Sequence, residues 1–324
     1  MRNRYWIILI TAILAVNLGL AGCAAPATPA PTATAAPKAT AAPTAAPIVL
    51  TDGLGRTVSL PAPAQRIVSL SPGNTEILFA IGAGPQVVGR DAYSDYPEEA
   101  KKVADIGGGF GELNTEVILA QKPDLVLAGS LTPPEQLTAL EGLGLTVFGV
   151  ANPNDFPGLF DNMRLLAQLT GRTSQAEELI AGLQKRVEVV QEKLGASTSH
   201  PLVFYELDGT DPNAPWTPGP GSFVDRLITL AGGDNLGASL SSEWVQVSIE
   251  ELIARNPHII LIGDATWGGV TLEDVRSRPA WKSLPAIQSG QMFVFDDNLV
   301  SRPGPRLVDG LEAMAKLLHP ELFK

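Results

Sequence analysis

From residue 48 onward, short apolar runs alternate with stretches whose apolar residues recur every three or four positions, as expected of strands alternating with helices. One such unit occurs twice. "LNTEVILAQKPDLVLAG" (113–129) and "VSIEELIARNPHIILIG" (247–263) align without a gap, sharing Glu116 with Glu250, Ala120 with Ala254, Pro123 with Pro257, Leu127 with Leu261 and Gly129 with Gly263. Asn114 and Ser248 are good N-cap residues, and the first-turn acids (Glu116; Glu250 and Glu251) suit the positive end of the helix dipole. Pro123 and Pro257 push the preceding residue out of helical space. "DLVLAG" and "HIILIG" then follow as apolar runs of the kind that form strands buried on both faces.

Two further pairs keep the same order. "TEILFAIGAGPQVVG" (75–89) and "VDRLITLAGGDNLG" (224–237) read as amphipathic helices closed by a glycine-containing stop. "GLTVFGV" (144–150) and "GQMFVFDD" (290–297) each place one more strand downstream. The pattern predicts an α/β fold of two similar lobes with central, mainly parallel sheets, residues 48–152 and 200–324. Between them, residues 153–199 carry apolar residues at helical spacing (Leu159, Phe160, Met163, Leu166, Leu169; then Ala176 to Leu194), the second part alone running to roughly five turns. A single long helix is therefore expected to join the lobes as a stiff strut, with the ligand cleft between them.

The N-terminus reads as an address. Residues 1–22 combine basic Arg2 and Arg4 with an apolar core too short to be a typical spanning helix, as in a signal peptide. "LAGC" resembles the bacterial lipobox, which implies lipid attachment at Cys23 and tethering of an extracytoplasmic protein to the cell membrane. In the segment 23–47, Cys23 is followed by "AAPATPAPTATAAPKATAAPTAAP" (24–47), an Ala/Pro/Thr-rich linker with too little apolar bulk for a core, which is expected to form an extended stalk. Cys23 is the only cysteine, which excludes a disulfide or a cysteine nucleophile within the chain. The net charge of −11 argues against nucleic acid or an anionic lipid surface as the main partner.

Catalytic motifs are lacking. The three histidines, His200, His258 and His319, show no ligand spacing, and neither a phosphate loop nor a GxSxG elbow occurs. The expectation is a non-enzyme with no metal site and no cofactor. The glycine-rich stretches "IGGGFGEL" and "WTPGPGSF" are weak signals by themselves, since glycines before a helix either admit a ligand to backbone N–H groups or merely turn the chain.

Several blocks in order, "RIVSLSPGNTEILFAIGAGPQVVGRDAYSDYPEEAKKVADIGG", the two repeats, "WTPGPGSFVDRLITLAGGDNLG" and "SRPGPRLVDGLEAMAKLLHPE", resemble the substrate-binding proteins of ABC importers for cobalamin, iron siderophores and haem. The resemblance covers nearly everything from Ile48 onward. "AYSDYPEEA" and "WVQVSIEEL" are most similar to the cobalamin-binding branch, although "GGGFGEL" offers only Phe110 where that branch carries a tryptophan.

The resemblance implies a monomeric carrier that holds a corrinoid, cobalamin or cobinamide, between its lobes and delivers it to a permease dimer with its ATPase subunits. It places ligand-contacting aromatics at Tyr93 and Trp244, whose flat faces suit a corrin or porphyrin ring. Ser71, Pro72, Asn74, Trp216, Ser222 and Arg302 are the other expected cleft residues. Arg302 either binds ligand amides, carboxylates or a phosphate, or instead braces the "GPR" turn. The resemblance assigns Glu116 and Glu250, one on each lobe, to docking on arginines of the two permease subunits. One alternative is a ferric siderophore or haem as ligand, with Tyr93 or Tyr96 ligating iron. Another is a non-transport surface sensor or hydrolase on the same scaffold.

Overall fold

The computed structural model describes residues 46–109, 112–195 and 197–324. The expected signal peptide 1–22, Cys23, nearly all of the linker 23–47 and Phe110 lie outside them. An antiparallel hairpin, β1 (Ile48–Thr51) and β2 (Thr57–Leu60), leads into the first lobe. There β3 (Ile67–Ser69), α1 (Pro72–Ala80), β4 (Val87–Arg90), β5 (Ala104–Asp105), α2 (Thr115–Ala120), β6 (Leu125–Ala128), α3 (Pro134–Gly142) and β7 (Val147–Gly149) follow in order. The five strands form a parallel sheet in the order β5-β4-β3-β6-β7.

Residues 153–199 hold two helices, α4 (Phe156–Thr170) and α5 (Thr173–Leu194). Gly171 breaks them apart with φ 71, a left-handed stop that glycine adopts without steric cost. Only α5 acts as the strut, about 33 Å long for its 22 residues. Its N-cap residue Arg172 donates to Gln86 of the first lobe, and its later turns meet the second lobe.

The second lobe contains β8 (Leu202–Glu206), β9 (Trp216–Pro218), α6 (Phe223–Leu230), β10 (Asp234–Asn235), β11 (Trp244–Gln246), α7 (Ile249–Arg255), β12 (Ile259–Ile262), α8 (Ala265–Gly268), α9 (Leu272–Ser277), α10 (Pro285–Gln288), β13 (Met292–Val294) and α11 (Leu307–Leu318). Its sheet is parallel in the order β10-β8-β12-β13. Once the edge strand β5 is set aside, this order repeats β4-β3-β6-β7 of the first lobe. The duplication read from the sequence is therefore a duplication of topology.

It reaches the hydrogen bonds as well. Helices α1 and α6 end in the same motif, with Gly82 (φ 77) donating to Phe79 and Ala83 to Leu78, and with Gly232 (φ 82) donating to Thr229 and Gly233 to Ile228. The side chains of Asn114 and Ser248 cap α2 and α7 as expected. Before the paired prolines, Lys122 (φ 48) and Asn256 (φ 54) leave right-handed helical space for the left-handed region, not for the extended one. That region costs about 1–2 kcal/mol for a residue such as lysine and less for asparagine.

The lobes share one apolar core. It includes Ile77 and Leu78 of α1, Leu159 and Met163 of α4, Ile180 and Leu183 of α5, Leu227 of α6 and Leu311 of α11. Phe156 and Phe223, from opposite sides of the seam, meet edge to face with ring centroids 5.5 Å apart. An apolar seam of this kind resists the relative motion that two lobes show by default.

Candidate functional site

Against this core the seam opens into a cleft of about 730 Å³ lined by both lobes, with Val150, Phe223, Val224, Val300 and Leu307 of the core forming part of its wall. It lies at the C-terminal ends of the parallel strands, where α/β sheets usually bind ligands. From the first lobe come Ser71, Pro72 and Asn74 at the end of β3, together with Tyr93 and the loop 130–133. The second lobe supplies Trp216, Trp244, Trp267 and the segment 297–303.

The tryptophans owe their position to a two-stranded ribbon. Strands β9 and β11 pair antiparallel, with Trp244 opposite Pro218 and Gln246 opposite Trp216. Side chains two residues apart share a face, so Trp216 and Trp244 are diagonal neighbours on one face. The other face is buried through Thr217. The ribbon is tied to the end of β8 by Leu207 N–H to Trp216 O (2.9 Å) and Trp216 N–H to Asp208 O (2.8 Å). Trp216 and Trp244 remain 39% and 40% exposed, and Trp267, on the four-residue helix α8, 57%. Indole rings left open to this degree in a concave wall are available to a ligand.

Across the cleft, Tyr93 is held by its backbone and by glycine. Its N–H donates to Asp91 Oδ1 (2.9 Å), and Asp91 in turn accepts from Ser94 Oγ, which is 2.8 Å from Thr75 Oγ1. Burial pushes the Asp91 carboxyl above its usual range, against the pull of the Ser94 hydroxyl and the Tyr93 N–H. Gly107, Gly108 and Gly109 all take positive φ, and a Cβ on Gly109 would sit 2.3 Å from the Tyr93 ring. The "GGG" run that carried little meaning in the sequence is thus the bed of Tyr93.

Arg302 lines the cleft and also donates to Asp95 of the first lobe. It acts as a brace between lobes, and is not confined to its own "GPR" turn. Burial alone would raise Asp95, but the Arg302 hydrogen bond and charge hold it below its usual range. Beside it, Arg306 forms a two-pronged pair with Glu76 and lies 3.9 Å over the Tyr96 ring. Tyr96 is thereby taken up by the seam and does not line the cleft.

Seven of the eight expected ligand residues therefore meet in one cleft: Ser71, Pro72, Asn74, Tyr93, Trp216, Trp244 and Arg302. Ser222 is the exception. It is buried, and its Oγ accepts from Asp225 N–H (3.1 Å) and donates to Gly219 O (2.9 Å), capping α6. Glu116 and Glu250 stand exposed in the first turns of α2 and α7, outside the cleft lining. His258 and His319 do structural work, His258 Nδ1 accepting from Leu202 N–H (2.8 Å) and the buried His319 Nε2 lying 3.1 Å from Gly232 O. Trp267 and Leu131 were missed by the sequence reading. Each follows a repeat by a few residues, at the strand ends where a ligand is expected.

The wall is mostly apolar, and its described charged residues are Asp91, Asp208, Asp297 and Arg302. Burial raises Asp297 above its usual range, although Ser301 and Tyr205 donate to it. The one cation among the described lining residues already has its partner in Asp95. Among the described residues there is no group of three or more His, Cys, Asp or Glu that could hold a metal ion.

Comparison with known proteins agrees with this geometry. The periplasmic binding protein family model matches residues 67–299. The chain is 30% identical over 318 residues to an uncharacterised ABC transporter substrate-binding lipoprotein of Bacillus subtilis (strain 168), covering 97% of each. It is 26% identical to a cobalamin-binding protein of Halobacterium salinarum, covering 98% of this chain and 85% of that one. Among solved structures, the periplasmic heme-binding protein from Roseiflexus sp. RS-1 superposes with a TM-score of 0.72 at 28% identity, over 80% of this chain and 99% of the other. The chain belongs to the periplasmic binding protein family, as the extracytoplasmic substrate-binding protein of an ABC importer.

Proposed function

We propose that this protein, lipid-anchored through Cys23, binds a corrinoid in the cleft and carries it to a permease on which Glu116 and Glu250 dock. The observation that carries the reading is the Trp216–Trp244 face in a cleft that Trp267 also lines. A corrin ring buries a large flat surface and surrounds it with uncharged amides, which need apolar and aromatic walls more than counter-ions. The cleft has such walls, and its described lining offers no cation that is not already paired. Likeness to a cobalamin-binding protein supports the same choice.

Haem is the second reading, favoured by likeness to a heme-binding protein and by Tyr93, whose phenolic oxygen is a suitable ferric ligand. The absence of an unpaired cation to meet two propionates weighs against it. The test is titration of residues 48–324 with cyanocobalamin, cobinamide, haem and a ferric hydroxamate siderophore. Tryptophan quenching and calorimetry are the readouts. Saturable one-to-one corrinoid binding is expected, and binding of haem or the siderophore in its place would replace the ligand while leaving the importer role intact.

A further inference from the structure

We propose that Leu119 and Ile253 are apolar anchors of a two-headed docking surface, one on each lobe, that fits the two subunits of a twofold-symmetric membrane permease. The inference rests on the docking reading above and adds the part of the surface that charge does not explain.

The two repeat segments serve as an internal comparison. Residue by residue, every position exposed in the first (114, 116, 119, 120, 122, 124) is exposed in its counterpart (248, 250, 253, 254, 256, 258). Three of these six exposed pairs have exchanged one polar residue for another, Asn114 for Ser248 (an N-cap in both copies), Lys122 for Asn256 and Asp124 for His258. Three have kept their character: a glutamate (116, 250), a large aliphatic (119, 253) and an alanine (120, 254). Leu119 and Ile253 are each 40% exposed, while Ile118 and Leu252 beside them are fully buried and supply the core contact of each helix.

A single exposed leucine carries no meaning on a protein surface. The same outward aliphatic in both copies, three residues after the same glutamate, is different. Positions three apart lie on one face of a helix, so each lobe presents a carboxylate with an aliphatic side chain next to it. The partner that fits is a surface repeated twice, each repeat offering an arginine or lysine beside an apolar recess. Exclusion of water by the aliphatic contact strengthens the neighbouring ion pair. A permease dimer, whose two subunits are related by a twofold axis, meets that description.

The test is photocrosslinking in the cells that make the full-length lipoprotein, with benzoylphenylalanine placed singly at 119, 253, 112 or 246. Glu112 and Gln246 are exposed, equivalent residues that flank the two helices. The expected result is an adduct from both 119 and 253 with the same polytopic permease subunit. Its yield should drop about tenfold when Glu116 and Glu250 are both alanine, the loss of close charge pairs at an interface. Adducts from 112 and 246 with none from 119 and 253 would overturn the anchors and leave glutamate docking standing. No permease adduct from any of the four sites would overturn both. An adduct with the mass of two copies of this chain would show self-association, and would also overturn the proposal.

Discussion

Arg306 holds Glu76 across the seam between the lobes by both carboxylate oxygens, Nε at 3.0 Å from Oε2 and Nη2 at 2.5 Å from Oε1. The Glu76 side chain is 1% exposed, and burial lifts its pKa despite the opposing charge of Arg306. Removing one member of such a pair leaves the other charge uncompensated. Glu76→Ala is therefore expected to cost about 3–5 kcal/mol in guanidinium unfolding, with much of the loss recovered when Arg306→Leu is added to Glu76→Met. Equal losses in the single and double variants would show that uncompensated charge is not the cause.

Glu206 gives the protein a pH dependence of the less common sign. Burial pushes its carboxyl up to about 7, against the pull of Arg278. The proton it then holds can be donated to Asp264, whose Oδ1 has no other partner. A carboxyl raised from 4.5 in the unfolded chain stabilises the fold fully below that value, and loses this contribution as pH rises toward 7. Between about pH 4.5 and 7 the loss is on the order of 3 kcal/mol. Urea unfolding across this range should show it in the parent protein and not in Glu206→Gln. An unchanged slope in the variant would assign the effect to another group.

The tryptophan face separates binding from folding. Trp216→Ala and Trp244→Ala each remove a ring that is well exposed. With a corrinoid as the proposed ligand, each should raise its Kd about tenfold or more, because large aromatics in a site dominate its affinity. Melting temperature should hardly move, since substitutions at exposed positions usually stay within about 0.5 kcal/mol. Calorimetry on both variants checks the first part and a thermal melt the second.

Gly109→Ala tests how Tyr93 is placed. The new Cβ would meet the ring at 2.3 Å in a backbone region that favours glycine. The ring must move, and ligand affinity should fall by about as much as in Tyr93→Ala, roughly tenfold. If Gly109→Ala still lowers affinity in a Tyr93→Ala background, the glycine serves the ligand directly, and this account of it is wrong.

Where the sequence was informative, it was so because local rules and tertiary demands agreed. In 113–129 and 247–263 the caps, the prolines and the apolar runs all follow from neighbours along the chain, and the structure keeps each of them. The cleft is different because its wall is made of strand exits with no period to read. Trp267 stands on a four-residue helix, and Leu131 in a loop without regular structure. Ser222 shows the opposite error. A serine after "GPG" resembles a ligand loop, but the start of α6 needed a cap, and that local need took the hydroxyl. The partner of Arg302 lies 207 residues away, beyond the reach of any local pattern.

The apolar core shared by α1, α4, α5, α6 and α11 has a kinetic consequence. Two halves that share a core along one edge resist snapping shut around cargo, so loaded and unloaded molecules should present similar outer faces to the membrane. Unloaded copies should then queue for the same landing site and act as competitive inhibitors of delivery. Import should saturate, then decline, as the number of carriers per permease rises beyond the supply of ligand.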